Sequence, residues 1–271
     1  MPKQICILIV FFCPYVLAAQ GLNQTLSITP FSTVHQSIER NTAFDVFTNP
    51  ATIVNTKTFM IGACSEQRFG QKDIISADVA VVLPTKNDAW ALPIHIDKAG
   101  TFTNNTPALV YARKISSNIA LGAQFGYNMQ SVEKYGSQQQ IDTKLGLIIK
   151  LTNQLQTGAT IHNPQLWFKK ETQIISRPVS VAWQVAYEPN ESFLLQTIMQ
   201  KQQNQAVQVI AGAYYRCHKY VEVAAGINSE GNQFWGSSSF ILKNFRLGIT
   251  THIHPQLGIT PGLMIMYNSI K

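Results

Sequence analysis

The segment from residue 141 to residue 162 alternates apolar and polar side chains with a period of two. From 141 to 151, every second residue except Thr143 is apolar. The intervening positions carry charges and a glycine: Asp142, Lys144, Gly146 and Lys150. Because successive side chains of a β-strand point to opposite faces, the pattern predicts a strand with one apolar and one hydrated face. A break at residues 152–154 and a second alternating run then predict a β-hairpin.

Similar alternation continues through the chain after Lys57 and defines fourteen segments, most of about ten residues. They are Thr58–Phe69, Ile74–Leu83, Ala89–Ile96, Thr106–Ile115, Asn118–Asn128, Ile141–Leu151, Leu155–His162, Val179–Glu188, Phe193–Gln202, Ala206–Arg216, Tyr220–Asn228, Gln233–Leu242, Phe245–His254 and Gly258–Asn268. Membrane-spanning strands need ~9–11 residues, whereas strands of soluble domains are usually nearer ~5–6. The length and even number predict an all-β fold, a single transmembrane antiparallel up-and-down barrel.

The connections between these segments fall into two classes. Those after even-numbered segments are short, and the longest follow odd-numbered segments: Asp97–Asn105, Met129–Gln140 and Asn163–Pro178. Bacterial outer-membrane barrels combine short periplasmic turns with longer outer loops, so this sorting favours such a barrel. A soluble secreted β-sandwich is the alternative, because its strands can also be two-faced.

Composition agrees with a barrel that has a polar lumen. Only 13% of the 271 residues are charged, against roughly 25% in average soluble proteins, and mean hydropathy is near zero at +0.01. The net charge of +7 could indicate nucleic-acid binding, but the basic residues are scattered, which argues against that partner. Aromatic residues flank three of the short turns and predict an interfacial girdle: Tyr187, Phe193, Tyr215, Tyr220, Phe240 and Phe245.

The N-terminus has the organisation of a secretory signal peptide. Lys3 precedes an apolar run, and small residues up to Ala18 and Ala19 provide the cleavage region. We therefore expect residues 1–19 to be removed during export. Of the four cysteines, two lie in this segment, and Cys64 and Cys217 are expected as unpaired thiols, with a single bridge as the alternative.

The polar face of the alternating segments predicts the residues that line the lumen. They are Gln124, Asp142, Lys144, Lys150, Gln184, Glu188, Arg216, Arg246, His252 and His254. A lysine facing lipid at the bilayer centre would cost ~2–4 kcal/mol, a cost that largely disappears in a hydrated lumen. These residues either tune solute selectivity or bond to one another and to whatever fills the barrel.

Neither metal nor catalytic chemistry is expected. His252 and His254 share a strand face, a spacing that suits metal ligation, yet no third ligand is evident and lumen lining is favoured. No nucleophile motif brings serine, histidine and acidic residues together. We expect a protein that is not an enzyme and has no cofactor.

Two stretches resemble the FadL-like family of outer-membrane barrels. Asp45, Phe47 and Asn49-Pro50-Ala51 match its "D…F.NPA" signature, and Pro107–Tyr127 is similar to its "Y-A-R-K-…-L-G" hairpins. The family includes long-chain fatty-acid transporters and the PorV and PorQ barrels of type IX secretion in Bacteroidota. The resemblance implies a Gram-negative outer-membrane protein in which residues 20–57 plug a barrel formed by residues 58–271.

The resemblance carries two functional expectations. The first is passive transport of small hydrophobic or amphipathic molecules, with outer-membrane lipid and such a ligand as partners. Gly/Pro interruptions that could open the wall, such as Pro261-Gly262, favour this expectation. The alternative is a non-transporting scaffold or shuttle whose partners are secretion-system proteins.

Overall fold

A computed structural model describes residues 41–168, 178–203 and 205–269, and the predicted signal peptide lies outside this part of the chain. The strands are β1 Met60–Gln67, β2 Ile74–Pro84, β3 Asp88–Ala99, β4 Phe102–Lys114, β5 Ile119–Val132, β6 Gly136–Lys150, β7 Leu155–His162, β8 Ser180–Asn190, β9 Phe193–Gln202, β10 Val207–His218, β11 Val221–Asn228, β12 Gln233–Leu242, β13 Phe245–His254 and β14 Gly258–Asn268. Helical structure in these described residues comprises α1 Asp45–Thr48 and four short 3-10 segments, Pro50–Asn55, Arg68–Gly70, Pro164–Phe168 and Glu230–Asn232.

The fourteen strands form one closed antiparallel barrel. Each strand pairs with its neighbours in the chain, and β1 closes the ring by pairing with β14, from Met60 opposite Asn268 to Glu66 opposite Gly262. The predicted all-β up-and-down barrel is confirmed. The sandwich alternative is wrong, because a single continuous ladder replaces two stacked sheets and leaves no unpaired edge strand.

Two of the three predicted long loops are wrong. Strands β3 and β4 are joined by residues 100–101 only, and β5 and β6 by residues 133–135. Polar residues in these stretches continue the ladder, for example Ser131 opposite Ser137, because the backbone hydrogen bonds that pair two strands do not require apolar side chains. Gly100 and Gly136 adopt positive φ angles of 59° and 102° in these tight turns. The third loop, between β7 and β8, is long, and residues 169–177 of it lie outside the described part.

The barrel exterior is apolar. Outward positions carry large hydrophobic side chains around the whole ring, such as Leu92, Leu121, Leu145 and Leu263. At the short-turn end, the aromatic residues expected in the girdle are exposed or partly exposed on this surface, and Phe245 contacts Tyr267 with ring centroids 5.2 Å apart. No helix in residues 41–168, 178–203 and 205–269 has the length and apolar character to cross a bilayer.

Residues 41–57, here called the plug, lie inside the barrel. Helix α1 and the following 3-10 turn are largely buried, and Phe44, Val46 and Ile53 are at most 1% exposed. They pack against inward apolar residues of β1 to β6 and β14, such as Val82 and Met266. A second inward cluster, on β8 to β12, does not include the plug and centres on Leu194, Tyr214 and Trp235.

Candidate functional site

The Asn-Pro-Ala sequence of the plug begins its 3-10 turn. Asn49 is the N-cap, and its Oδ1 accepts a hydrogen bond from the Ala51 amide at 3.0 Å. Pro50 occupies the first position of the turn, where its missing N–H costs nothing. The Asn49 side-chain amide donates to the Leu147 carbonyl oxygen of β6 at 3.2 Å. One asparagine therefore both starts the turn and attaches the plug to the barrel wall.

Three glycines on adjacent strands make room for this turn. A Cβ at Gly122 of β5 would clash with the backbone of Pro50 and Ala51, and one at Gly146 of β6 would clash with Asn49. At Gly158 of β7, a Cβ would meet the Gln184 side chain and come within 3.1 Å of Asn49 Nδ2. Sequence reasoning missed this cradle, although isolated glycines within strands are a known sign of close backbone approach.

Charged and polar groups hold the other half of the plug. Lys144 Nζ donates to the Phe47 carbonyl oxygen at 2.6 Å, near the C-terminal end of α1, where a cation is favourable. The Asp45 carboxyl accepts bonds from the Thr42 amide at 2.9 Å and the Thr42 hydroxyl at 2.7 Å. Complete burial raises the pKa of Asp45 to about 8, despite these bonds and the positive charge of Arg246.

The plug lies between two chambers of the lumen. The upper chamber, on the side of the longer connections, has a cavity volume of about 140 Å³ and is open to solvent. Its lining includes Phe47, Thr48, Asp78, Pro93, His95, Ala108, Gln124, Asp142, Lys144, His162, Gln200, Gln202, Gln205 and Gln208. The lower chamber, on the short-turn side, has a cavity volume of about 260 Å³, and its lining includes Asn55, Thr56, Lys57, Arg216, Lys243, Arg246 and Asn268.

In the upper chamber, ionisable groups contact one another. His95 Nδ1 lies 2.5 Å from Asp78 Oδ1, and its Nε2 lies 2.8 Å from Asp97 Oδ2. Across the chamber, His162 Nε2 lies 2.7 Å from Asp142 Oδ1. Sequence reasoning did not identify Asp78, His95 or Asp97, although all three occupy inward positions of their strands. Four glutamines of the chamber, on or between β9 and β10, add neutral hydrogen-bonding groups.

In the lower chamber, basic groups predominate. Arg246 contacts Glu222, and Arg216 Nη2 lies 3.6 Å from the second oxygen of the same carboxylate. Lys57 and Lys243 are exposed at the rim. Four basic side chains therefore line this chamber, and two of them, Arg216 and Arg246, pair with Glu222 of β11.

The barrel wall beside the upper chamber is interrupted at two prolines. Pairing between β3 and β4 lapses at Leu92 and Pro93, and pairing between β4 and β5 lapses at Thr106 and Pro107, although neither register shifts. A proline has no N–H to donate to the ladder. At Pro261-Gly262, β14 pairs with β13 through both residues, whereas its pairing with β1 ends at Gly262.

Every predicted lumen residue lies at an inward or partly buried position. Gln124, Asp142 and Lys144 line the upper chamber, and Arg216 and Arg246 line the lower one. Gln184 and Glu188 are buried, and Lys150 is partly buried.

The two histidines of β13 have different surroundings. His252 faces Glu66, with Nε2 3.8 Å from Oε1, whereas His254 Nδ1 accepts two backbone bonds that hold the β13–β14 turn. No cluster of three or more potential metal ligands occurs among the described residues. Cys64 is buried, Cys217 is exposed, and neither forms a disulfide bond within the described part of the chain.

Comparison with solved structures places the fold beside known channels. The CymD monoaromatic hydrocarbon channel superimposes with a TM-score of 0.62 at 11% identity, over 84% of this chain and 93% of that chain. The Pseudomonas putida toluene transporter TodX gives 0.63 at 10% identity, over 86% and 94%. A Pseudomonas aeruginosa FadL homologue gives 0.61 at 9% identity, over 86% and 95%. No protein-family model matches the chain, and no curated protein matches it by sequence.

Proposed function

We propose that this protein is an outer-membrane barrel that passes small hydrophobic or amphipathic molecules passively from the outside. The observation that carries the proposal is the upper chamber, which opens at one end of the barrel, is closed below by the plug, and lies beside the interrupted wall at Pro93 and Pro107. A solute in this chamber has the plug beneath it and a weakened wall beside it. Lateral release into lipid is then the shorter route for an apolar molecule.

Further observations support this assignment. The exterior belt presents apolar side chains to lipid, and charged residues such as Lys144 and Asp142 face the interior, where they avoid the cost of lipid exposure. Pro93 and Ala108 both line the chamber and lie on the interrupted strands. The solved structures of similar fold include channels named for monoaromatic hydrocarbons and toluene.

The wall route is tested by restoring the missing donor. Pro107→Val supplies an N–H to the β4–β5 ladder, and a net hydrogen bond is worth ~0.5–1.5 kcal/mol. Pro261→Val is the matched control, because Pro261 is also an outward strand proline that is paired on one side only, but no residue of its strand β14 lines the upper chamber. The measurement is uptake of the hydrophobic dye N-phenylnaphthylamine by Gram-negative cells that express each variant.

We expect the wild type and Pro261→Val to raise dye uptake above that of cells without the protein, and Pro107→Val to reduce this gain several-fold. Equal uptake with the wild type, Pro261→Val and Pro107→Val would mean that the dye does not pass through this part of the wall. Uptake no higher than in cells without the protein would contradict transport of this class of solute.

Localisation is tested separately. The full chain, expressed with its N-terminal segment, should fractionate with outer membranes and migrate faster on gels without boiling, as closed barrels do. Mass spectrometry of the purified protein should find the N-terminus after Ala18 or Ala19. A soluble protein without a heat-dependent shift would contradict the membrane assignment.

The scaffold or shuttle alternative makes the opposite prediction in the same cells. A non-transporting partner of a secretion machine, PorV- or PorQ-like, would give no dye uptake and would co-purify with other envelope proteins. Dye uptake without such partners would decide for transport.

A further inference from the structure

The lower chamber has an unbalanced charge. Lys57, Arg216, Lys243 and Arg246 line it together, although they come from the plug and from the ends of three strands or turns. Glu222 contacts both arginines. When ionised, these five groups together carry a net charge of +3 around a cavity of about 260 Å³.

The nearest additional acid does not restore the balance. Asp45 lies close enough to Arg246 to interact with it electrostatically, but complete burial raises the pKa of Asp45 to about 8. Near pH 7 this carboxyl is mostly protonated and contributes little negative charge. The positive potential of the lower chamber therefore persists at neutral pH.

Polar atoms inside the chamber also lack partners. Thr56, 5% exposed, places a buried hydroxyl there, and this hydroxyl has no hydrogen-bond partner in the part of the chain that the structure describes. Arg216 Nε is in the same situation within that part of the chain. Asn268 Oδ1 also lacks a partner there, but it is an acceptor and cannot bond to an anion. Buried polar atoms usually have a partner, so the two donors are available to a group that enters the chamber.

We propose that the lower chamber is a binding site for a small oxyanion, the phosphate or carboxylate group of a solute on the short-turn side of the barrel. A planar guanidinium binds such groups through paired hydrogen bonds, and the Thr56 hydroxyl supplies a neutral donor. Lys57 and Lys243 at the rim increase the local anion concentration. The site lies on the opposite side of the plug from the proposed transport route and does not depend on it.

The lysines provide the cleanest test. Arg216 and Arg246 pair with the buried Glu222, so removing either would leave a buried charge and endanger folding. Lys57 and Lys243 are exposed, and the double variant Lys57→Gln/Lys243→Gln lowers the charge of the chamber by two. The matched control is Lys86→Gln/Lys219→Gln, which removes two exposed lysines from turns at the same end of the barrel that do not line the chamber.

The measurement is equilibrium dialysis of purified mature protein in neutral detergent against radiolabelled inorganic phosphate, at constant ionic strength set by chloride. Heat-dependent gel mobility establishes that each variant is folded. Competition with succinate then compares a carboxylate ligand with phosphate. We expect saturable binding of one phosphate per chain, about tenfold weaker in the chamber variant and changed less than twofold in the control.

Three results would overturn the proposal. The first is the absence of saturable phosphate binding to the folded wild type. The second is equal weakening in the control variant, which would assign the effect to the overall charge of this end of the barrel. The third is displacement by chloride as effective as displacement by phosphate, which would indicate screening without a site for oxyanions.

Discussion

The two chambers of this barrel face the same plug from opposite sides and differ in how their charges are arranged. In the upper chamber, acids and histidines contact each other directly, as in the His95–Asp78 and His162–Asp142 pairs, and glutamines occupy much of the remaining wall. In the lower chamber, four basic side chains are part of the lining, and Glu222 pairs with two of them, Arg216 and Arg246. Where acidic and basic groups pair locally, the electrostatic potential in the chamber is small. An excess of one sign of charge attracts solutes of the opposite sign.

The plug makes this difference possible because it separates the two spaces. Its α1 end faces the upper chamber through Phe47 and Thr48, and the end of its 3-10 turn faces the lower chamber through Asn55 and Thr56. A barrel without this partition would present one continuous lumen, in which the basic excess would act on every solute. Displacing the plug is therefore the most direct way to remove the difference in charge between the two chambers.

Of the substitutions proposed here, Gly122→Ala should displace the plug most strongly. Its new Cβ would clash with the backbone of Pro50 and Ala51, which cannot move aside as a flexible side chain can. Overpacking of this kind costs ~1–3 kcal/mol, so we expect a lower unfolding temperature and higher ion conductance in planar bilayers as the two chambers join.

Gly236→Ala is the control for that experiment, because the nearest atom to its new Cβ is the Ala224 carbonyl oxygen at an ordinary 3.8 Å. It should leave conductance unchanged. If Gly122→Ala and Gly236→Ala behave alike, the cradle does not hold the plug.

Lys144→Met should loosen the plug without introducing a clash. The variant removes the bond from Nζ to the Phe47 carbonyl oxygen, and hydrogen bonds that involve a charged group contribute ~1.5–3 kcal/mol. Hydrogen exchange at the plug amides should become faster. Lys150→Met, on the same face of the same strand, is the control, and equal exchange in the two variants would contradict the tether.

Asp45→Asn tests the charge on the buried end of the plug. The pKa of Asp45 is about 8 in the fold and 3.8 as the reference value, so the folded state binds the extra proton between these pH values. The stability from this group is complete below pH ~4 and falls by up to ~1.4 kcal/mol per pH unit as the pH rises towards 8. Urea unfolding midpoints measured from pH 5 to pH 8 should therefore decline less steeply in Asp45→Asn.

Asp73→Asn is the control, since Asp73 is exposed in the β1–β2 connection. It should keep the steeper decline of the wild type. If the unfolding midpoint of Asp45→Asn falls with pH as steeply as that of the wild type, a group other than Asp45 causes the fall.

The barrel itself was predictable because the outward positions of its strands are apolar over much of their length. Alternation in segments such as Ile141–Leu151 therefore identifies both the strand and its inward face. This alternation ceases in the extensions of β4, β5 and β6, which the sequence pattern therefore predicts as loops. Polar residues alternate there without a periodic apolar signal.

The chambers were less predictable because they depend on closure of the ring. Alternation identifies Arg216 and Arg246 as inward, but Lys57 and Lys243 lie outside the strands, where no periodicity applies. The β1–β14 pairing brings the two ends of the barrel sequence together around the lower chamber. The glycine cradle likewise depends on where the plug docks, a tertiary contact that no local pattern in β5, β6 or β7 specifies.

The smallest expected effect is a change in the reactivity of one cysteine. It tests whether the plug keeps the two chambers apart, because Cys64 and Cys217 lie in different places. Cys64, 4% exposed, belongs to the apolar cluster that packs on the plug, whereas Cys217 is exposed at the short-turn end. A maleimide should label one thiol per folded wild-type chain, at Cys217, and two after denaturation. In Gly122→Ala, Cys64 should become reactive without denaturation, because displacement of the plug removes its cover. Labelling of Cys64 in the folded wild type would mean that the plug already leaves its site, and the two chambers would then be one space for part of the time.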